Sequence, residues 1–322
     1  MRPKIVIAYM DFGDDFAVEH KVLATLDPEI ICTNGEVASP AALEALKDAD
    51  AVMVTLQKVT SATIAAMPRC KAIGRAGTGL DTIDLDAASA QGIQVVYVPD
   101  YGIDEVSTHA ISLLLAQVRN VVGSVNATRA GKWPAGGGRT IYRLKGKTLG
   151  VIGFGRIGQA AAEKGKGLGL NVLVYDPMLD PSAVERLGVQ AVDLNTLARQ
   201  SDLITLHTPL LDSTYHLINA EFLAKMKPTA YLVNTARGPL VDEAALLAAV
   251  QAGTIAGAAL DVFEVEPIAA DNPLLQEERI LVTAHNAWYS EEAKIDMRLR
   301  AVEDVVRVLK GEKPHRPANK LG

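Results

Sequence analysis

Residues 148–158 read TLGVIGFGRIG, and residues 171–176 read NVLVYD. The apolar start of the first segment predicts a strand, and the glycines that follow predict a tight turn and the start of a helix. Gly153 can adopt the backbone angles of the turn, Gly155 leaves room for a pyrophosphate, and Gly158 lets the helix lie close to the sheet. The second segment is again an apolar strand. Together they predict a β-α-β unit that binds a dinucleotide.

An acidic residue at the end of the second strand indicates which dinucleotide is bound. Asp176 is placed to accept hydrogen bonds from the adenosine ribose hydroxyls, and its negative charge would repel a 2′-phosphate. The pyrophosphate would lie on free N–H groups at a helix N-terminus, where the helix dipole favours negative charge. We therefore expect NAD as the cofactor. The alternative is a glycine motif that only packs a helix against a sheet, which the flanking strands and Asp176 make the weaker reading.

Composition excludes several classes of protein. With 322 residues, of which 49% are hydrophobic and 22% charged, the chain can form two domains with a core each. A net charge of -6 without a dense basic segment argues against a nucleic-acid partner. No apolar run reaches the length of a membrane span, and the start MRPKIVIAYM does not fit a signal peptide. We expect a cytoplasmic protein without a membrane partner, with Cys32 and Cys70 as reduced thiols on buried strands.

Apolar runs alternate with amphipathic ones along the chain. Before the glycine motif, strands are predicted at residues 4–8, 30–33, 51–56, 71–74 and 94–98, and helices at 15–26, 40–47 and 84–91. After it, strands are predicted at 203–207, 230–234, 255–260 and 280–283, with helices between them and a final helix at 290–310. The fold class is therefore α/β with two doubly wound parallel sheets. Between the sheets, residues 104–122 predict one long helix.

Three polar clusters follow predicted strands of the second sheet. They contain Arg237 in NTARG, Glu266 in ALDVFEVEP and His285 in TAHNAWYS. Ligands of a doubly wound sheet bind at the carboxyl ends of its strands, so the clusters should converge near the nicotinamide. An arginine can hold a carboxylate and polarise a carbonyl, and a histidine oriented by a carboxylate can transfer a proton. Taken singly, Glu266 could be a solvated loop acid and His285 a histidine closing a strand; their combination favours hydride transfer to a 2-oxo acid.

Several of these segments, in the same order, carry a family resemblance. GFGRIG, Asp176, HTP at 207–209, NTARGPLVDE at 234–243, GAALDVFEVEP at 257–267 and His285 resemble the D-isomer-specific 2-hydroxyacid dehydrogenases. The resemblance covers essentially the whole chain and implies that Arg237, Glu266 and His285 are catalytic. It also implies a flavodoxin-like substrate-binding domain of residues 1–103 and 291–322, and an inserted Rossmann NAD-binding domain of residues 104–290. A homodimer through the NAD-binding domain is implied as well, although the apolar face at 111–122 could equally be intrachain packing.

The resemblance implies two further sets of contacts, and no metal site is expected. The cofactor contacts are Thr78, Thr108, Gly153, Gly155, Arg156, Ile157, Gly158, Asp176, His207, Thr208, Pro209, Thr235, Ala236, Arg237, Asp261, His285 and Ala287. The substrate contacts are Arg75, Ala76, Gly77, Thr78, Arg237, His285 and Trp288. His109 is expected to pack or hydrogen-bond rather than to catalyse.

Two subgroups of the family compete for the substrate. Residues 73–88 and 131–133 are similar to 3-phosphoglycerate dehydrogenases, whereas residues 287–298 resemble the C-terminal-binding-protein corepressors. Arg75 could meet a substrate phosphate or brace its own loop. Trp288 could narrow the pocket for an apolar substrate tail or pack between domains.

Ala284 and Thr108 depart from the family pattern, which commonly has proline and glutamate at these positions, and this weakens any transfer of substrate preference. The expected function is an NAD-dependent oxidoreductase that interconverts a small (2R)-hydroxy acid and its 2-oxo acid. The alternatives are a 3-phosphoglycerate dehydrogenase and an NAD(H)-responsive, corepressor-like binding protein.

Overall fold

The chain folds into two compact units. A computed structural model describes residues 2–9 and 16–321. One unit consists of Met1–Gly102 with Ser290–Gly322, and the other of Ile103–Tyr289. The second unit is thus an insertion between two segments of the first.

Parallel strands in the order β2-β1-β3-β4-β5 form the sheet of the first unit. The strands are β1 (Lys4–Ala8), β2 (Glu29–Cys32), β3 (Ala51–Val54), β4 (Ala72–Arg75) and β5 (Gln94–Val96). The helices are α1 (Ala17–Leu23), α2 (Pro40–Leu46), α3 (Ser61–Ala65), α4 (Leu85–Ala90) and the last helix of the chain, α12 (Glu291–Leu309). This strand order is that of the flavodoxin-like fold.

The sheet of the second unit has the order β12-β11-β10-β9-β6-β7-β8, again with parallel pairs. Its strands are β6 (Thr148–Ile152), β7 (Asn171–Tyr175), β8 (Gln190–Ala191), β9 (Leu203–Leu206), β10 (Tyr231–Asn234), β11 (Gly257–Leu260) and β12 (Ile280–Val282). Its helices are α5 (Ile103–Val118), α6 (Val121–Arg129), α7 (Arg156–Gly167), α8 (Pro181–Leu187), α9 (Leu194–Gln200), α10 (Ala220–Lys225) and α11 (Glu243–Gln251). The strand order reverses between β6 and β9, as in a Rossmann fold, so the predicted fold class is confirmed.

Local sequence explains where the helices begin. The side chains of Ser39, Asp242 and Ser290 accept hydrogen bonds from the N–H groups three residues later and so cap α2, α11 and α12. Glu291 and Glu292 place negative charge in the first turn of α12, where the helix dipole favours it.

One predicted helix is interrupted. Residues 104–122 were expected to form a single helix, but α5 ends at Val118 and α6 begins at Val121. Between them Asn120 has a left-handed backbone (φ 46°), and its side-chain amide donates to the carbonyl of Gly136 at 2.9 Å. Asparagine tolerates this conformation better than most residues, so the chain turns there while the apolar pattern continues.

Other differences concern an edge strand and element ends. Cys32 was expected on a buried strand, but it is exposed because β2 lies at the edge of its sheet; Cys70 is buried. The helix predicted at 15–26 is α-helical over Ala17–Leu23 and continues as a 3-10 turn, and Asp15 lies outside the described residues. Within the part of the chain that is described, no helix is long and apolar enough to cross a membrane.

Candidate active site

The glycine motif forms a tight turn between β6 and α7. Gly153 has φ 89°, and an added Cβ would lie 2.5 Å from the backbone of His207 and Thr208. A Cβ on Gly158 would lie 2.0 Å from the carbonyl oxygen of Gly153. At Gly155, by contrast, an added Cβ would meet nothing within 4 Å among the described residues. The first and third glycines are therefore required for packing, and the second borders open space at the helix N-terminus.

This end of the sheet fits a dinucleotide. Gly155 is the N-cap of α7, which begins at Arg156. Since Gly155 has no side chain to accept hydrogen bonds from the first N–H groups of the helix, including those of Arg156 and Ile157, these groups can bind an anion. Asp176, just after β7, accepts hydrogen bonds from the N–H groups of Phe154 (2.7 Å) and Met178 (2.8 Å). Its carboxylate is thus held beside the glycine turn, and each oxygen keeps a further lone pair for a ribose hydroxyl.

Neighbouring strand ends add further polar groups. His207, Thr208 and Pro209 follow β9, and Thr235 follows β10. The hydroxyl of Thr235 is buried and has no hydrogen-bond partner within the described chain. A buried, unpaired hydroxyl is uncommon in a folded protein, and a bound ligand is one way to satisfy it. Burial lowers the pKa of His207 to about 4, so its ring is neutral at neutral pH.

His285 and Glu266 form a hydrogen-bonded pair. Nδ1 of His285 lies 2.6 Å from Oε2 of Glu266, and Oε1 of Glu266 accepts the N–H of Phe263 at 2.9 Å. Both side chains keep some exposure, 23% for His285 and 29% for Glu266. The carboxylate therefore orients the imidazole and leaves Nε2 as the ring nitrogen for exchange with a ligand.

The pKa of Glu266 is lowered from its ordinary value. Burial opposes ionisation of this carboxyl, but the hydrogen bond and charge of His285, the N–H of Phe263 and the charge of Arg237 outweigh it. Glu266 is therefore a carboxylate at neutral pH, and its charged oxygen lies in hydrogen-bonding contact with the His285 ring.

Asp261, which follows β11, anchors the loop that carries His285. Its buried carboxylate accepts hydrogen bonds from the Thr283 hydroxyl (2.5 Å) and from the N–H groups of Asn286 (3.1 Å) and Ala287 (2.8 Å). The N–H of His285 donates to the carbonyl of Asp261 at 2.7 Å.

His285 has a left-handed backbone with φ 50°. For a histidine this conformation is uncommon, and such backbones concentrate at functional sites. Two of the expected cofactor contacts, Asp261 and Ala287, take part in the hydrogen bonds that hold the His285 loop.

The Arg237 loop is attached to the Glu266 loop through a glycine. Arg237 precedes the 3-10 turn Gly238–Leu240, and its Nη1 donates to the carbonyl of Ala236 at 2.7 Å. A Cβ on Gly238 would lie 1.9 Å from the backbone carbonyl of Phe263. Only glycine allows this approach, which brings the loop after β10 against the loop after β11. Within the second unit, Arg237 and the Glu266–His285 pair are thus brought together.

Some predicted residues lie elsewhere. Thr108 is exposed on α5. Arg75, Ala76, Gly77 and Thr78 lie in the first unit, at and after the end of β4. Arg75 is 5% exposed and its guanidinium donates to the carbonyls of Ala76 and Gly79 (3.0 Å for Gly79). Through these hydrogen bonds Arg75 stabilises its own loop.

Trp288 lies in the second unit and packs edge-on against the ring of Tyr289, with ring centroids 5.6 Å apart. His109 also belongs to the second unit. Its Nε2 lies 3.1 Å from the hydroxyl of Thr283 and 3.6 Å from Asp261. It therefore contacts the groups that hold the His285 loop.

Sequence reasoning missed two further contributions. His216 bonds Glu264, two residues before Glu266, and Thr283 joins His109 to Asp261. The acidic residues of VDE at 241–243 and Glu264 are visible in the sequence. Nothing in their spacing indicates that His216, more than 20 residues upstream, contacts them. No cluster of three or more potential metal ligands with suitable geometry occurs within residues 2–9 and 16–321.

Comparison with known proteins identifies the family. Residues 111–287 match the family model described as D-isomer specific 2-hydroxyacid dehydrogenase, NAD binding domain. The chain is 39% identical over 276 residues to a glyoxylate reductase of Korarchaeum cryptofilum, covering 84% of this chain and 83% of that protein. The chain belongs to the D-isomer-specific 2-hydroxyacid dehydrogenase family.

Other relatives of the chain carry different names. A D-3-phosphoglycerate dehydrogenase of Methanocaldococcus jannaschii is 42% identical over 289 residues, covering 87% of this chain and 55% of that protein. The chain spans about half the length of the phosphoglycerate dehydrogenases that it matches. A structure of D-lactate dehydrogenase from Aquifex aeolicus, complexed with NAD and lactic acid, superposes with a TM-score of 0.89 at 29% identity, covering 99% of this chain and 100% of that one.

Family membership confirms the cofactor and the class of enzyme. The unit that carries the glycine turn and Asp176 contains the family's NAD-binding domain, and the cofactor is NAD. The relatives named above are dehydrogenases and a reductase, and the class of enzyme is an oxidoreductase that acts with NAD on CH–OH groups. Since the relatives include glyoxylate reductases, lactate dehydrogenases and phosphoglycerate dehydrogenases, membership leaves the substrate open.

Proposed function

We propose that this chain is an NAD-dependent D-2-hydroxyacid dehydrogenase that interconverts a small (2R)-hydroxy acid and its 2-oxo acid. The observation that carries the proposal is the 2.6 Å contact between His285 Nδ1 and Glu266 Oε2. It stands at the carboxyl edge of a sheet whose glycine turn fits the cofactor. A pair of this kind is what proton transfer to a carbonyl oxygen requires.

Each residue of the set has a role in the proposed reaction. His285, protonated and oriented by Glu266, donates the proton from Nε2 to the carbonyl oxygen during reduction, and its neutral ring accepts the alcohol proton during oxidation. The Arg237 guanidinium holds the substrate carboxylate and polarises the carbonyl, which suits its planar set of N–H donors. The glycine turn and Asp176 would hold NAD, which would supply the hydride for reduction and take it up in oxidation.

Phosphoglycerate oxidation is a second candidate. It is favoured by the similarity to archaeal phosphoglycerate dehydrogenases, 42% and 43% identical. The contacts of Arg75 argue against that residue as the phosphate ligand, because its guanidinium is buried and engaged with loop carbonyls. We therefore place the unphosphorylated acids first.

A substrate panel tests the proposal. The purified protein is incubated with NADH and glyoxylate, hydroxypyruvate, phenylpyruvate or 3-phosphohydroxypyruvate, and the absorbance of NADH is followed. Turnover of one or more 2-oxo acids is expected. Measurable NADH binding without turnover of any of them would refute the proposal. NADH-dependent capture of a protein partner, again without turnover, would instead support the corepressor-like alternative.

The proton-transfer role has its own variant. His285→Asn should lose at least about 100-fold in kcat, because general acid-base catalysis contributes typically 10²–10⁴-fold, and it should retain NADH affinity. His20→Asn is the matched control, an exposed histidine on α1 of the other unit, and it should leave kcat unchanged. An unchanged kcat in His285→Asn would contradict the assignment.

Arg75→Ala separates the two substrate candidates. If Arg75 braces its loop, the variant raises KM for phosphorylated and unphosphorylated substrates alike. If it binds phosphate, KM rises only for 3-phosphohydroxypyruvate. The contacts of Arg75 with Ala76 and Gly79 lead us to expect the first result.

We further propose a cytoplasmic homodimer that forms through the second unit. Support comes from exposed apolar side chains on α6 and the segment after it, namely Val121, Val122, Val125 and Trp133, the last 90% exposed. Light scattering on the purified chain tests this, with Trp133→Glu and Val122→Glu expected to yield monomers. A monomeric wild type at micromolar concentration would refute it.

A further inference from the structure

A histidine and two glutamates lie behind the catalytic pair. Nε2 of His216 and Oε1 of Glu264 are 3.1 Å apart. The same oxygen of Glu264 accepts the N–H of Glu243 at 3.1 Å, and Oε1 of Glu243 accepts the N–H of Glu264 at 2.6 Å. We refer to His216, Glu243 and Glu264 as the His216 cluster. Its reciprocal bonds tie the start of α11 to the loop after β11.

The His216 cluster touches both loops that carry catalytic groups. The N–H of His216 donates to the carbonyl of Pro239 at 2.9 Å, two residues after Arg237. On the other side, Glu264 directly follows Phe263, whose N–H donates to Glu266. The backbone of His216 is left-handed (φ 47°), so its conformation is one that surrounding contacts have to maintain.

Negative charge surrounds the imidazole of His216. Asp242 lies 4.0 Å from its Nδ1, Glu264 contacts its Nε2, and the ring of Tyr215 stacks on it with centroids 4.0 Å apart. Burial raises the pKa of Glu243, and the charges of Glu264 and Glu266 raise it further. The carboxylates of Glu264 and Glu266 therefore both repel that of Glu243, and the hydrogen bond from His216 holds Glu264 in this acidic surrounding.

We propose that His216 is a positioning residue for the Glu266–His285 pair: through its hydrogen bond it fixes Glu264 between the two catalytic loops, next to the Phe263 N–H that Glu266 accepts. The proposal rests on the proposed function, because it assigns His216 an effect on proton transfer. His216 does not touch the substrate in this scheme. It acts through Glu264, the Phe263 N–H and the carboxylate of Glu266.

Two substitutions test the hydrogen bond between His216 and Glu264. His216→Leu removes this bond, whereas His216→Gln can still donate to Glu264. His20→Leu, on an exposed histidine of the other unit, is the matched control. Each protein is assayed in both directions between about pH 5.5 and 9.5 with the best substrate of the panel, and KM for NADH is measured separately.

His216→Leu should lower kcat by about tenfold with KM for NADH unchanged, as expected when a partner that orients a catalytic ligand is lost. His216→Gln keeps a donor for the Glu264 carboxylate and should therefore recover most of kcat.

Glu264→Gln provides a second test, which does not depend on the folding of His216→Leu. Its readout is the pH midpoint of the oxidation reaction, which needs the neutral His285 ring. It removes a negative charge, so the midpoint of oxidation should move downward. A kcat within twofold of wild type in His216→Leu would overturn the proposal. So would a His216→Gln variant as slow as His216→Leu, or an upward midpoint in Glu264→Gln.

An NMR titration of the His285 ring in the same variants needs no turnover. If wild type turns over none of the acids, the proposed function fails. A downward shift of the His285 titration in Glu264→Gln then still tests the positioning role. An unmoved titration in that variant would overturn it.

Discussion

Replacing Glu266 by glutamine tests the catalytic pair most directly. The two carboxylate oxygens of Glu266 have separate tasks, since Oε1 accepts the Phe263 N–H at 2.9 Å and Oε2 contacts His285 Nδ1 at 2.6 Å. Glutamine is nearly isosteric but has a single acceptor oxygen and an amide NH2 group. One of the two N–H donors must then face another donor, and the negative charge is lost.

The expected loss of kcat/KM follows from the hydrogen bond that the substitution removes. Hydrogen bonds to charged groups contribute about 1.5–3 kcal/mol, which corresponds to about 10- to 150-fold in kcat/KM if the bond is needed in the transition state. The lowered pKa of Glu266 keeps it ionised throughout the assay range, so its charge is available at every pH tested. Removing this charge destabilises the imidazolium. The midpoint of the oxidation reaction should therefore move to lower pH.

The assay is a pH series of kcat/KM for wild type, Glu266→Gln and Glu266→Asp. Aspartate keeps the charge but shortens the reach, so its rate should lie between the other two. Glu278→Gln, on an exposed loop acid of the same unit, is the control and should match wild type. A Glu266→Gln variant within threefold of wild type, with an unmoved pH profile, would refute the role of Glu266 as the partner of His285.

Three further predictions concern other parts of the chain. Asp176→Ser removes the charge that repels a 2′-phosphate, so the ratio of kcat/KM with NADPH to that with NADH should rise by at least about tenfold, whereas Asp212→Ser should leave the ratio unchanged. Arg298→Met leaves the buried Glu19 without its 2.8 Å partner and should cost about 3–5 kcal/mol in urea unfolding; a loss below about 1 kcal/mol would contradict this. The unfolded state binds a proton at His207 near pH 6.5 and the folded state only near pH 4, so stability falls as pH drops between these values. His207→Gln should remove on the order of 2 kcal/mol of the loss of unfolding free energy between pH 7 and 4.5, and an unchanged pH dependence would count against the buried neutral ring.

The fold could be predicted because its signals are local. An apolar run followed by a glycine turn, as at β6, or a capped helix such as α12, is encoded within about 20 residues and needs no information about the rest of the chain. The break between α5 and α6 was missed because its cause is not local. Asn120 turns the chain by bonding Gly136, and the hydrophobic pattern does not record that contact.

The site could be predicted as a set of residue types but not as a geometry. The strands' carboxyl ends indicate that Arg237, Glu266 and His285 converge, since parallel strands end at one edge. They do not indicate that Asp261 holds the His285 loop through three hydrogen bonds, or that Arg75 turns into its own loop. Both contacts depend on the directions of side chains within loops. The same sequence allows a charged residue in a loop either to bind a ligand or to hydrogen-bond the backbone of that loop.

The contact at Gly238 joins the loop that carries Arg237 to the loop that carries Glu266. A side chain at Gly238 would collide with the Phe263 carbonyl, so the loop that carries Arg237 packs directly against the backbone of Phe263. The N–H of the same residue, Phe263, donates to Glu266. Arg237 and the Glu266–His285 pair, proposed to bind the carboxylate and to transfer the proton, consequently share one support, and the His216 cluster contacts it through Glu264 and Pro239. Under the proposed function, a displacement of the Arg237 loop would displace the backbone that donates to Glu266. Binding of the acid and orientation of the proton donor would then be linked through this backbone contact.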